Sequence, residues 1–168
     1  MCAVARDAGA AILQVYGDED FGVQTKSDDS PLTRADLAAH NIIVEGLQKR
    51  APGIPVLSEE SDGISFAERS SWDLYFLVDP LDGTKEFVKR NGEFTVNIAL
   101  IHNGIAEAGV VHVPVSGVTY IGRTHTGAWR VSRAGAYESI QCKSLDNTRV
   151  IKVVASRSHR GKSLDRGI

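Results

Sequence analysis

The chain has 168 residues, 42% of them hydrophobic, so it is long enough for one domain with a sizeable core and unlike a disordered segment. Its 19 basic and 21 acidic residues give a formal net charge of -2, which offers no support for nucleic-acid or anionic-membrane binding as a whole-protein function. With two cysteines, no zinc-type Cys/His cluster and no recognisable signal peptide or spanning segment, we expect a cytoplasmic protein, with peripheral attachment to the cytoplasmic face of the inner membrane as the alternative.

The first part of the chain predicts two helices. Apolar residues recur at helical spacing over residues 3–16, and Gly17 closes that pattern. A polar, turn-rich stretch follows at 23–32, after which Thr33 stands at an N-cap position and a second helix extends to about Arg50. Asp36 falls in the first turn of this helix, where the helix dipole alone would favour a carboxylate.

Two apolar runs then end in acidic residues. Residues 54–57 predict a short strand that leads into Ser58-Glu59-Glu60-Ser61, and residues 72–78 predict a second strand that leads into Asp79-Pro80-Leu81-Asp82-Gly83. A lone pair of glutamates is usually solvated surface. Two neighbouring strands that both end in carboxylates are instead typical of metal sites in proteins that combine helices and strands.

Pro80 predicts a β-turn in which Asp79 and Asp82 are the first and fourth residues, with the Leu81 carbonyl between them. Like charges held so close repel strongly unless a cation lies between them, and oxygen-only ligands suit Mg²⁺. The alternative is an ordinary Asp-Gly hairpin turn. Behind the turn, residues 83–89 predict a short helix whose first N–H groups can hold a phosphate.

The second half of the chain predicts an antiparallel meander. Short turns separate four strand-like runs, and a final β-rich run follows: 94–101, 105–113, 117–122, 128–131 and 150–155. The expected fold is therefore α+β, with two N-terminal helices layered on a mainly antiparallel sheet.

The acidic strand ends point to phosphate-ester chemistry. An oxygen-lined cage for divalent ions would consist of Glu60, Asp79, Leu81, Asp82 and also Asp36. Two Mg²⁺ ions about 4 Å apart lower the pKa of an attacking water and neutralise the entering and leaving oxygens, so no covalent nucleophile is needed. Thr84 is placed to accept a hydrogen bond from that water and pass a proton toward Asp36. No Ser stands in a Gly-x-Ser-x-Gly turn, so a Ser/His/Asp hydrolase is not supported.

Two motifs carry a family resemblance. Leu57-Ser58-Glu59-Glu60-Ser61 and Asp79-Pro80-Leu81-Asp82-Gly83-Thr84 resemble the lithium-sensitive, Mg²⁺-dependent phosphatase superfamily that includes inositol monophosphatase and fructose 1,6-bisphosphatase. The stretches 26–36 and 90–100 resemble its bacterial 3'(2'),5'-bisphosphate nucleotidases. So does Lys85-Glu86-Phe87, where the inositol branch usually has Thr-Asn-Phe. Nearly the whole chain aligns with the N-terminal portion of those nucleotidases.

The resemblance implies specific roles for the residues at the strand ends. The metal ligands would be Glu60, Asp79, Leu81 and Asp82. Asp36 would act on a further metal and on the nucleophilic water. The substrate would be contacted by Glu60, Asp82, Gly83 and Thr84. Of these, Gly83 and Thr84 would contact its scissile phosphate.

The implied enzyme uses Mg²⁺ to remove the 3'-phosphate of adenosine 3',5'-bisphosphate, giving AMP and phosphate in nucleotide and sulfur metabolism. Its partner is thus a small-molecule nucleotide bisphosphate. One alternative is an inositol or sugar monophosphate phosphatase. A second alternative is an inactive metal- or nucleotide-binding remnant.

The resemblance also implies a second domain. In the family, an Asp in a Trp-Asp-x-Ala motif of that domain completes the metal site, and this sequence ends at Ile168 without the motif. We therefore expect residues 1–155 to form the metal-binding N-terminal domain and 156–168 to begin a truncated second domain. We also expect weak binding of a second metal, and self-association through apolar surface and the strand at 150–155.

Overall fold

The computed structural model describes residues 1–26, 31–61 and 63–144. In this part of the chain, two long helices, α1 (Cys2–Tyr16) and α2 (Arg34–Arg50), pack on one face of a sheet, and two short helices, α3 (Phe66–Arg69) and α4 (Thr84–Val88), lie in its connections. No helix among these residues is long and apolar enough to cross a membrane. The strand predicted at 150–155 and the segment 156–168 lie outside the described residues.

The described residues form a two-stranded sheet and a seven-stranded sheet. The small one pairs β1 (Gln24–Thr25) with β2 (Pro31–Leu32), and the large one contains, in spatial order, β3 (Val56–Ser58), β4 (Leu74–Asp82), β5 (Thr95–His102), β6 (Ile105–Val113), β7 (Val118–Arg123), β8 (Gly127–Val131) and β9 (Tyr137–Ile140). β3 pairs with β4 in parallel, and the other neighbours in this sheet are antiparallel. The predicted α+β fold with a mainly antiparallel sheet is confirmed.

The core lies between the two long helices and one face of the sheet. Alternate side chains of the central strands point toward the helices because successive strand residues face opposite sides. The buried cluster includes Val4, Ala8, Ile12, Ala39, Ile43, Leu47, Phe76, Val78, Val96, Ile98 and Val110. On the opposite face, Leu77, Val111 and Tyr120 are 44%, 39% and 40% exposed, so residues 1–26, 31–61 and 63–144 leave this side of the sheet partly open.

His112 of β6 belongs to the packing between sheet and helix. It is buried, and its Nδ1 lies 3.0 Å from the hydroxyl of Thr119. A Cβ at Gly9 of α1 would stand 2.6 Å from the imidazole ring, so α1 approaches β6 closely only because residue 9 is glycine. Burial, together with the charge of Arg6, lowers the pKa of His112.

The predicted β-turn over residues 79–82 is wrong. β4 continues through this segment, pairing Asp79 with Asn97 and Asp82 with Thr95, so that the ladder has one extra residue on β4. Pro80 explains this bulge, because proline lacks a ladder N–H and is tolerated in strands at such irregularities. The bulged strand, rather than a reverse turn, leads into Gly83 and the predicted short helix α4.

Candidate metal and phosphate site

The parallel pairing of β3 with β4 brings two acidic segments to the same edge of the sheet. Ser58 is the partner of Val78 at the end of the pairing, and the Glu59 N–H donates to the Val78 carbonyl at 3.0 Å. Because strands in parallel run the same way, the residues that follow them emerge side by side. Glu59 is thereby placed beside Asp79.

Asp79 carries the strongest electrostatic perturbation at this edge. Burial raises the pKa of its carboxyl to about 7, with further contributions from the negative charges of Glu59 and Asp82. Its Oδ1 accepts a hydrogen bond from the Leu81 N–H at 3.2 Å. Asp79 and Asp82 form no ion pair within the described residues, and carboxylate oxygens are the donors that a hard divalent cation prefers, so the residues present fit Mg²⁺.

Glu60 is bound to a lysine. The ammonium nitrogen of Lys26 lies 2.5 Å from Glu60 Oε1 and 3.1 Å from Glu59 Oε1, and the Glu60 side chain is only 8% exposed. Burial opposes the charge on Lys26, but hydrogen bonds to both glutamates raise its pKa. Among the described residues, no three Asp, Glu, His or Cys side chains are close enough to hold one ion together. The grouping of Glu60 with Asp79 and Asp82 around a metal therefore stays a prediction.

Asp36 and Thr84 lie in contact, although 48 residues separate them. Asp36 is 1% exposed and completes the cap of α2, where its Oδ2 accepts from the Thr33 N–H at 2.7 Å and the Thr33 hydroxyl at 2.6 Å. The Thr84 hydroxyl lies 3.0 Å from Asp36 Oδ1 and 3.1 Å from the Leu81 carbonyl, and its single hydrogen serves one of them at a time.

The protonation of Asp36 reflects two opposing influences. Burial raises the pKa of this carboxyl, and its hydrogen bonds to Thr33 and Thr84 reduce that effect. A buried carboxyl that holds a proton more readily than usual, in contact with a hydroxyl, is chemically able to receive a proton through that hydroxyl.

Gly83 sits where only a glycine fits. Its φ is 96°, and a Cβ would stand 2.9 Å from the Glu93 carbonyl oxygen. The backbone can therefore begin α4 directly against Glu93 and Phe94, the two residues before β5. Asp82, before it, is exposed and accepts a hydrogen bond from the Asn97 amide at 3.0 Å.

A cavity of about 630 Å³ opens beside these acidic residues, on the face of the sheet opposite α1 and α2. Acidic and amide groups of the strand ends line one part of it, apolar strand residues form another, and residues of the β3–β4 connection complete it: Glu59, Asp79, Asn97, Leu77, Ala99, Gly109, Val111, Ile64 and Arg69. This volume is within the range of small-molecule sites.

Family comparison agrees with the fold and with the motifs at the strand ends. The model of the inositol monophosphatase family matches residues 1–166. The chain belongs to the inositol monophosphatase family. The resemblance that the motifs indicated is thus confirmed.

Individual members of the inositol monophosphatase family resemble the chain over most of its length. The 3'(2'),5'-bisphosphate nucleotidase CysQ of Shigella flexneri is 50% identical over 165 residues, covering 98% of this chain and 65% of the relative. CysQ of Escherichia coli (strain K12) is 49% identical with the same coverage. The crystal structure of CysQ from Bacteroides thetaiotaomicron, which is 38% identical, gives a TM-score of 0.73 over 97% of this chain and 63% of that one. The chain thus spans about 65% of the length of the curated relatives it matches.

The sequence patterns alone do not single out every residue that the structure places at the site. The sequence marks Glu59 only as part of a Glu-Glu pair, and it marks Lys26 only as part of a stretch that resembles the family. His40 of α2 places its Nδ1 2.9 Å from the Ser58 hydroxyl and so supports the end of β3. The only available signal for Glu59 was its neighbour Glu60, and no local pattern relates Lys26 or His40 to residues 18 to 34 positions away.

Proposed function

We propose that the chain is the metal- and phosphate-binding part of a Mg²⁺-dependent phosphatase that removes the 3'-phosphate of adenosine 3',5'-bisphosphate, giving AMP and phosphate. The observation that carries this proposal is the contact of Thr84 with both Asp36 and the carbonyl of Leu81, next to the crowded carboxylates of β4. The identity of 49–50% to bisphosphate nucleotidases supports this choice of substrate.

In this proposal the metal ligands are Glu60, Asp79, Asp82 and the Leu81 carbonyl. The raised pKa of Asp79 supports the assignment, because burial and the nearby charges of Glu59 and Asp82 disfavour its ionised form, and a bound cation would offset both effects. Glu60 is included because of the family motif, since its carboxylate is paired with Lys26 in the structure. When bound, Mg²⁺ would lower the pKa of the attacking water and offset charge on the entering and leaving oxygens.

Thr84 and Asp36 would handle the proton of that water. The Thr84 oxygen accepts a hydrogen bond from the water while its own hydrogen points to Asp36 Oδ1, which lies 3.0 Å away. As the water attacks phosphorus, its proton passes to Thr84 and the hydroxyl proton passes to Asp36. Burial raises the pKa of Asp36, and this makes the carboxylate a better proton acceptor. Gly83 would contact the scissile phosphate through its backbone, whose conformation at φ 96° requires a glycine.

An inositol or sugar monophosphate is the second candidate substrate. It draws support from a solved relative described as inositol monophosphate-bound SaIMPase-II, which is 26% identical with a TM-score of 0.58. The third candidate is a metal- or nucleotide-binding protein without turnover. In every case the proposed partner is a small molecule, and the proposed location is the cytoplasm.

Phosphate release from the purified 168-residue chain separates these candidates. Adenosine 3',5'-bisphosphate and inositol 1-phosphate are supplied in parallel with Mg²⁺, and again with EDTA. Mg²⁺-dependent release that favours the bisphosphate supports our proposal, whereas faster release from inositol 1-phosphate supports the second candidate. Calorimetric binding of nucleotide without release supports the third.

A further inference from the structure

The turn that follows β3 carries both glutamates of the site. The Ser61 N–H donates to the Ser58 carbonyl at 3.0 Å, so Glu59 and Glu60 are the two central residues of a β-turn. The Ser58 N–H donates to the Ser61 hydroxyl at 3.2 Å, and the Ser58 hydroxyl accepts from the Glu60 N–H at 3.4 Å. Ser58 is itself buried. The orientation of this turn therefore depends on the contacts that hold Ser58.

His40 connects α2 to Ser58. Its Nδ1 lies 2.9 Å from the Ser58 hydroxyl, although 18 residues separate the two along the chain. A hydroxyl has one hydrogen and two lone pairs, so it can donate to an unprotonated Nδ1 or accept from a protonated one, and in both cases it can still accept from the Glu60 N–H. The contact is thus compatible with either tautomer of the imidazole ring.

The same helix carries the proposed proton acceptor. Asp36 and His40 stand four residues apart on α2, so their side chains lie on one face of the helix, about one turn apart. Asp36 contacts Thr84, which follows β4, and His40 contacts Ser58 at the end of β3. Two polar contacts from one turn of α2 therefore fix the glutamate turn relative to the Asp36–Thr84 pair.

We infer that His40 is a positioning residue for the proposed metal site, because through Ser58 it orients the turn that presents Glu60 to the cation. This inference rests on the proposed function, in which Glu60 is a metal ligand. The Glu60 carboxylate is paired with Lys26 in the structure, so a cation has to compete with that lysine for it. His40 keeps the backbone of Glu60 in place during this exchange, and groups behind a ligand tune metal affinity by fixing its orientation.

Two substitutions that differ in reach test the role of His40. The polar atoms of asparagine are bonded to Cγ, as Nδ1 of histidine is, whereas the amide of glutamine lies one carbon further out. Mg²⁺ affinity is measured by calorimetry on the full chain, without nucleotide and well below the melting temperature. His40→Gln is expected to weaken Mg²⁺ binding by about 3- to 10-fold, the effect of one lost hydrogen bond, and His40→Asn to retain most of the wild-type affinity. In EDTA, hydrogen exchange at the Glu60 and Ser61 amides should be faster in His40→Gln than in His40→Asn.

A double substitution tests whether His40 acts through Ser58. Ser58→Ala should weaken Mg²⁺ binding by itself, and adding His40→Gln to Ser58→Ala should cause no further loss, because the contact is already absent. His102→Gln is the matched control. It makes the same substitution at an exposed histidine at the end of β5, so Mg²⁺ affinity should stay at the wild-type value.

The outcomes separate this inference from the proposed function. Unchanged Mg²⁺ affinity in His40→Gln would overturn the inference alone if the wild type binds Mg²⁺ and releases phosphate. Equal losses in His40→Asn and His40→Gln, or additive losses in the double variant, would also overturn it. A wild type that does not bind Mg²⁺ would overturn both. Loss in His40→Gln with rescue in His40→Asn, but without phosphate release by the wild type, would support the role of His40 and refute the proposed catalysis.

Discussion

Replacing Asp79 with asparagine should stabilise the metal-free protein at neutral and alkaline pH. The unfolded chain loses the Asp79 proton near its ordinary pKa of 3.8, whereas the folded chain holds it up to about pH 7 because of burial and the nearby carboxylates. Between these two values the folded state binds the extra proton, so stability falls as the pH rises. The penalty is complete above about pH 7 and absent below about pH 4. Asparagine keeps the shape and the acceptor for the Leu81 N–H but carries no charge.

The size of the effect follows from the difference between the two pKa values. A difference of about 3 pH units corresponds to about 4 kcal/mol. Because the side chain is only partly buried, solvent screening reduces this free energy, and we expect Asp79→Asn to stabilise the metal-free protein by about 2 kcal/mol. For a chain of this length, that stabilisation raises the Tm by about 4 to 8 °C.

Thermal unfolding in EDTA at pH 8 and at pH 4.5 measures the stabilisation by Asp79→Asn. Asp79→Asn should melt higher than wild type at pH 8, and the gap should shrink strongly at pH 4.5. Asp73→Asn, at an exposed aspartate just before β4, is the control and should leave Tm unchanged at both values. Adding Mg²⁺ should raise the Tm of wild type and have little effect on Asp79→Asn. A lower Tm for Asp79→Asn in EDTA at pH 8, or the same gain at both pH values, would refute the reasoning.

Three further outcomes are expected. Gly83→Ala should lower the free energy of unfolding, measured with urea, by about 2 kcal/mol or more, because a side chain at this position combines a φ of 96° with a close backbone contact. Gly135→Ala, at a φ of 87° with nothing within 4 Å, should lower it clearly less. Because burial lowers the pKa of His112, the unfolded chain gains a proton first as pH falls below 6.5, so His112 should contribute a loss of stability from pH 7 to pH 5, opposite to the gain that Asp79 contributes over the same range. His112→Gln should remove this loss, so its stability at pH 5 relative to pH 7 should exceed that of the wild type, and an unchanged pH dependence would contradict the assignment. Thr84→Val should lower the rate of phosphate release by about 100-fold or more while Thr84→Ser retains most of it, and equal losses in the two would argue against the hydroxyl as the relay.

The helices and the meander could be predicted because their signals are local. Thr33 and Asp36 stand three residues apart and form the capping box that starts α2. The turn between β5 and β6 contains Asn103 and Gly104, both with positive φ, as expected for such a pair. β9 escaped prediction because three of its four residues are exposed, so no alternation of apolar and polar residues marks it.

The arrangement of the site could be predicted only in part, because it depends on strand register. The pairing of Ser58 with Val78 places Glu59 beside Asp79 and leaves Glu60 to Lys26. A shift of one residue would exchange the two glutamates, and no local pattern encodes that choice. The bulge at Pro80 is a similar case, since proline after an apolar run is compatible with a turn or with an irregular strand.

The order of the sheet has a consequence for how the molecule assembles. From β4 to β9 each strand pairs with its neighbour along the chain, so this part can form by successive short-range hairpins, which is fast. β3 joins β4 through three residue pairs, and within the described residues it is an edge strand. We expect it to add late and to open most readily, which hydrogen exchange would show as weak amide protection at residues 56–58. The acidic segment after β3 would then be the least rigid part of the site, because the other strands of the sheet form earlier and open less readily.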